Sequence, residues 1–153
     1  MGKLDSLKIC GECGGHCCSY GGTTATKEEV DKIVKAGFDN HFENISENAY
    51  ITKWGKDGVC PYQKNTACSI HKVRPLLCRT FPAMFILKNK KREFYKQECP
   101  LQKLMSEKEM NDSFELLKKV PDELIISANK YLDKYGKILE KRINKFKLVK
   151  VER

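Results

Sequence analysis

No stretch of this 153-residue chain is long and apolar enough to cross a bilayer, and its start, MGKLDSLKIC, lacks the apolar core of a secretory signal. These two absences lead us to expect a cytoplasmic protein without a membrane partner. Also missing are a glycine-rich dinucleotide fingerprint, a P-loop and a hydrolase nucleophile elbow, which lowers the case for an enzyme. Cysteine is what the chain has instead. There are eight, none of them after Cys99, and four fall within CGECGGHCC between Cys10 and Cys18.

A reducing cytosol does not sustain four disulfides. Inert core cysteines would be scattered among apolar neighbours, whereas Gly11, Gly14 and Gly15 surround these. The clustering therefore points to a metal ion or cluster. Cys10-Gly-Glu-Cys13 has knuckle spacing, which lets two thiolates turn toward one ion while glycines permit the bend. Cys17 and Cys18 are adjacent, so either the chain bends there or one of them serves a second site or a structural role. Cys60, Cys68, Cys78 and Cys99 are too widely spaced for a second knuckle, and only the fold can gather them. Two four-cysteine zinc sites would use every thiol, and one iron–sulfur cluster would use four. Soft thiolates suit both zinc and iron, so spacing leaves the choice open.

The formal charge of +9 counts all thiols as neutral. Two tetrathiolate centres of charge about −2 each would bring it near +5. Part of the lysine excess then balances a buried anion, and nucleic acid is not expected as a partner. Arg74 and Arg79 bracket Cys78 in VRPLLCR and are candidates to compensate a thiolate centre, against the plainer reading of structural ion pairs. His16 and His71 lie inside the cysteine-rich segments and could complete a Cys3His site, although a supporting or surface role suits each better. His41 has no such context.

Along the chain, residues 1–22 read as a glycine-rich loop. A helix follows, with a Thr26/Glu29 capping box, a Val30, Ile33 and Val34 stripe and a stop at Gly37. YITKW suggests a short strand. Prolines 61, 75 and 82 keep the middle block irregular, and MFILK and REFYK read as a β-hairpin around Asn89, Lys90 and Lys91. Ser106 and Glu109 form a second capping box, and Pro121 separates two helices. The second of these carries a stripe of Ile125, Ala128, Leu132, Tyr135, Leu139 and Phe146. We expect an α+β fold. A small irregular cysteine-rich, metal-centred domain with a β-hairpin would span residues 1–105. A C-terminal helical pair, residues 106–153, would pack on it and offer a surface to a protein partner.

The run Cys10-x2-Cys13-x3-Cys17-Cys18, the C-P-Y at Cys60 and CSIHKVRPLLCRTFP from Cys68 to Pro82 together resemble the YkgJ-type cysteine-cluster family, a zinc- or iron-chelating domain. The resemblance covers residues 10 to about 100. It implies that Cys10, Cys13, Cys17, Cys18, Cys60, Cys68 and Cys78 are ligands, with Cys99 as a further candidate. Arg74, Pro75, Arg79 and Pro82 would be the supporting residues. His71 stands where many members carry tyrosine, which argues against it as an obligatory ligand. A similar signature occurs in the larger flagellin lysine N-methylases, and this chain is too short for that enzyme's whole apparatus. The functional expectation is thus a metal-binding protein holding zinc or an iron–sulfur centre. The alternative is an enzyme of the protein-lysine methyl-transfer or redox type.

Overall fold

Local signals in the sequence set most of the elements. The structure, a computed structural model, describes residues 5–12, 23–53, 59–132 and 147–153. Thr26 opens helix α2, Lys27–Lys35. Its hydroxyl accepts from the Glu29 amide, while the Glu29 carboxylate accepts from the Thr26 amide, the reciprocal box the sequence implies. Gly37 ends the helix at φ +95, a conformation glycine adopts without cost. Val30 and Ile33 are buried, but Val34 is 46% exposed, so the apolar stripe is narrower than expected. Ser106 and Glu109 build the same box at the start of α5, Glu107–Leu117, and Pro121 divides it from α6, Asp122–Leu132. Of the expected stripe on the last helix, Tyr135, Leu139 and Phe146 lie outside the described residues.

Among the described residues, three small antiparallel sheets carry the rest. The first has β1 (Thr24–Ala25) and β2 (Phe42–Ser46) on either side of β3 (Ala49–Thr52), which corresponds to the YITKW reading. The second pairs β4 (Gln63–Lys64) with β5 (Ala67–Cys68). The third is the expected hairpin, β6 (Ala83–Lys88) and β7 (Lys91–Gln97). It turns through Asn89 and Lys90, both at positive φ as a two-residue hairpin requires.

Two elements depart from the sequence reading. Ser6–Glu12, expected to be loop, is a seven-residue helix, α1, and it carries Cys10. Leu148–Val151, assigned to the C-terminal helix, is a strand, β8, that pairs with β7 through Phe94↔Val151 and Gln97↔Leu148. Among the described residues, two short helices, α3 (Leu76–Arg79) and α4 (Pro100–Leu104), and a 3-10 turn at His71–Val73 complete the elements.

Among the described residues there are two apolar clusters. One gathers Ala49, Ala83 and Phe85 with Met110, Phe114, Leu117, Val120 and Leu124, so the late helices pack on the sheets. The other joins Ala25, Val30, Ile33 and Phe42 to Cys60, Tyr62 and Ile70. Arg92 fastens hairpin to helices. It pairs with Asp122 at 2.6 Å, donates to the carbonyls of Leu117 (3.2 Å) and Val120 (2.5 Å), and lies 4.2 Å over the Phe85 ring. Among the described residues, no helix is long and apolar enough to cross a membrane.

Candidate metal centre

The second cluster provides the floor of the site. Cys60 lies within it, Cys68 packs against it, and Pro61 starts a turn closed by the Gln63 amide on the Cys60 carbonyl at 3.0 Å. Tyr62 locks this turn to a distant loop. Its hydroxyl donates to the Asp39 carbonyl at 2.7 Å and accepts from the His41 amide at 2.9 Å, and its ring meets that of His41 edge-on. His41 is therefore a packing partner of Tyr62. The β4–β5 turn holds Asn65 and Thr66 at φ 50 and 65, uncommon for a β-branched residue. The Thr66 hydroxyl donates to the Gly11 carbonyl at 3.2 Å and so ties the turn to α1. Helix α1 packs on β5 and α4, which sets Cys10 over the Cys68 strand.

Cys78 arrives on α3. Its amide and that of Arg79 both donate to the Pro75 carbonyl, at 2.9 and 3.1 Å. The fully buried Pro75 anchors the start of the helix. The Thr23 side chain hydrogen-bonds the Cys78 thiol. Burial pushes the Cys78 thiol up to about 12, and the nearby Cys60 and Cys68 add to the rise while Arg74 opposes it. The thiols of Cys60 and Cys68 are also raised, mainly by burial. Cys60, Cys68, Cys78 and Cys99 are free thiols.

Arg74 links these segments. Its guanidinium is lowered from its ordinary value by burial, and its field is shared with Cys78, Cys68 and Cys10. It stays charged, because no protein environment reaches down to its deprotonation. One arm donates to the His71 carbonyl and lies 3.3 Å from His71 Nδ1. Burial and the guanidinium together lower the His71 pKa, favouring neutral imidazole. Among the described residues, Arg74 forms no ion pair with a carboxylate.

The structure thus brings together Cys10, Cys60, Cys68, Cys78 and Arg74 from three separate stretches of chain. Cys99 is buried at the head of α4, a helix that packs against α1. Arg79 is exposed and lines a surface cleft of about 380 Å³ with Glu29, Lys32 and Leu76. Cys13, Cys17, Cys18 and His16 lie outside the described residues. Among those described, no three cysteine, histidine or carboxylate side chains already stand in coordinating array. The donor set nonetheless fits a soft metal: one buried and three half-buried thiols, glycine beside Cys10 and one fixed cation. Sequence reasoning missed Thr23, which no spacing rule connects to Cys78 across 55 residues.

The family model titled "Putative zinc- or iron-chelating domain", of CxxCxxCC type, matches residues 9–100. No curated protein and no solved structure matches the chain.

Proposed function

We propose that this chain, which belongs to the CxxCxxCC family of zinc- or iron-chelating domains, holds zinc or an iron–sulfur centre through Cys10, Cys60, Cys68 and Cys78, with Arg74 as the compensating charge. Cys13, Cys17 and Cys18 are the remaining motif donors, and Cys99 is a reserve thiol beside α1. Arg79 adds positive charge at the rim. The setting is cytoplasmic, and the role is that of a metal-binding protein.

One observation carries the reading: a half-buried guanidinium lies among three thiols and, among the described residues, has no carboxylate partner. A buried cation left this way is costly. It becomes favourable when the thiols beside it ionise on a metal, because a tetrathiolate centre carries about −2. The metal, when bound, supplies a Lewis-acidic or redox-active centre. The chain's own residues hold the thiols in register, exclude water and offset their charge.

Metal and acid-labile sulfide analysis of protein purified without oxygen tests this. Zinc without sulfide, or iron with matching sulfide, is the expected result, and Cys60→Ser and Cys78→Ser should each abolish it. Full metal content in both variants would overturn the assignment.

A further inference from the structure

Helix α3 delivers Cys78 and follows Arg74, yet it has no cap of its own. Its N-cap residue is Pro75, whose side chain makes no capping hydrogen bond. First-turn amides of a helix need acceptors. The Leu76 amide finds one 47 residues away in sequence, donating to Glu29 Oε2 at 2.6 Å. The other oxygen of the same carboxylate accepts from the Thr26 amide at 3.1 Å and from the Thr26 hydroxyl at 3.3 Å. One carboxylate therefore caps two helices at once, its own and α3.

We infer that Glu29 is a positioning residue for the metal centre, fixing the register of α3 so that Cys78 and Arg74 face the other thiols. This rests on the metal-binding reading above and deepens it. Leu76 stands two residues from each of those side chains, so a slip of α3 displaces ligand and counter-charge together. The stretch from Thr23 to Glu29 grips α3 at two points: Glu29 at the helix start and Thr23 at the thiol. An ordinary capping-box glutamate would need only the Thr26 contacts. The short bond to Leu76 is what a role in α3 adds.

Glu29→Gln separates the two roles. Its amide can still accept from one backbone donor but presents N–H₂ to the other, so it cannot serve both helix starts. Thr26→Ala is the matched control, since it breaks the box on α2 and leaves the carboxylate to Leu76. Two readouts are taken on full-length protein. One is cobalt(II) affinity with its thiolate charge-transfer absorption. The other is the alkylation rate of Cys78 in metal-free protein, relative to Cys99 in the same molecule. Glu29→Gln should weaken cobalt binding by about ten- to a hundredfold, as loss of supporting contacts does at other metal sites. It should also speed Cys78 alkylation, while Thr26→Ala changes neither. Should Glu29→Gln fail to fold, Glu29→Asp, one methylene too short to bridge both helices, takes its place. Unchanged alkylation ratio in the glutamate variant, or equal effects from Thr26→Ala, would overturn the proposal. If the wild-type protein takes up no cobalt, the metal reading falls, and the alkylation ratio still decides whether Glu29 sets α3.

Discussion

Among single residues, the two arginines that bracket Cys78 separate. Spacing alone treats Arg74 and Arg79 alike, because each is close to the cysteine in sequence. The fold sends them to different places: Arg74 is half-buried among thiols, and Arg79 is exposed at a cleft. Charges at the surface are screened, and those beside a desolvated anion are not. Arg74→Ala should therefore weaken metal binding by about ten- to a hundredfold. Arg74→Lys should restore part of this, keeping charge but losing the planar fork that holds His71. Arg79→Ala should change affinity much less. Chelator competition on protein confirmed folded by circular dichroism reads all three, and equal losses from both alanine variants would put Arg79 at the centre as well.

The thiols themselves make a second prediction at this scale. Burial raises Cys60, Cys68 and Cys78 above the ordinary thiol value of 9.0, with Cys78 at about 12. At neutral pH the metal-free thiols are protonated, and each must lose its proton to bind. Metal uptake should release about one proton per thiol ligand, so affinity should rise with pH between 6 and 8. Calorimetry in buffers of different ionisation enthalpy counts those protons. In metal-free protein the linkage has the opposite sense. The folded state keeps protons that the unfolded chain gives up above pH 9, so stability is full below that pH and falls as pH rises toward 12. Proton-free metal binding would mean that the thiols are already ionised.

For the elements, legibility follows the range of the interaction that forms each one. Capping boxes at Thr26 and Ser106, the Gly37 stop and the Asn89-Lys90 hairpin were readable because their determinants lie within four residues. Strand β8 was not. The burial of LVKV alternates with period two, but its choice of strand over helix depends on pairing with β7, some fifty residues earlier. Helix α1 was missed because glycine beside its cysteine argues for loop, while its packing on β5 and α4 is non-local. The meeting of Cys10, Cys60, Cys68 and Cys78 belongs to the same class. Type of chemistry was legible; its assembly was not.

Arg92 gives this scale its test. It joins the hairpin to the α5–α6 corner and donates there to the carbonyls of Leu117 and Val120, the first of which also accepts from the Val120 amide. Hydrogen bonds from a charged group are worth about 1.5–3 kcal/mol net. The ring contact adds about 1 kcal/mol. Arg92→Ala should cost about 3 kcal/mol in denaturant unfolding, with Arg92→Lys recovering less than half because a single ammonium cannot reach Asp122, Leu117 and Val120 together. A loss below about 1 kcal/mol would mean that the corner is held by apolar packing alone.

Across the whole molecule, the two apolar clusters divide the chain unequally. Among the described residues, the cluster around Cys60 and Tyr62 draws on residues 25–73, whereas the other needs Met110, Phe114, Leu117, Val120 and Leu124 to cover Ala49, Ala83 and Phe85. Leu76 and Leu77 of α3 pack against that second cluster, so the helix bearing Cys78 leans on the C-terminal helices. Removing five buried apolar side chains forfeits about 1.5–3 kcal/mol each, on the order of 10 kcal/mol in all. That equals the entire stability of an ordinary domain, about 5–15 kcal/mol. Sequence spacing, which finds no cysteine beyond Cys99, would let a chain ending at Met105 keep its metal. Packing argues otherwise. Truncation after Met105 should leave the metal-free protein largely unfolded by circular dichroism, with cobalt restoring only part of the signal. Metal can add no more than the free energy set by its concentration relative to its dissociation constant. Cobalt affinity should fall at least tenfold, because Cys78 is no longer held in place. A fragment of residues 1–105 that folds without metal and binds cobalt as tightly as the full chain would show that the cysteine-rich part is self-sufficient and the tail only rests on it.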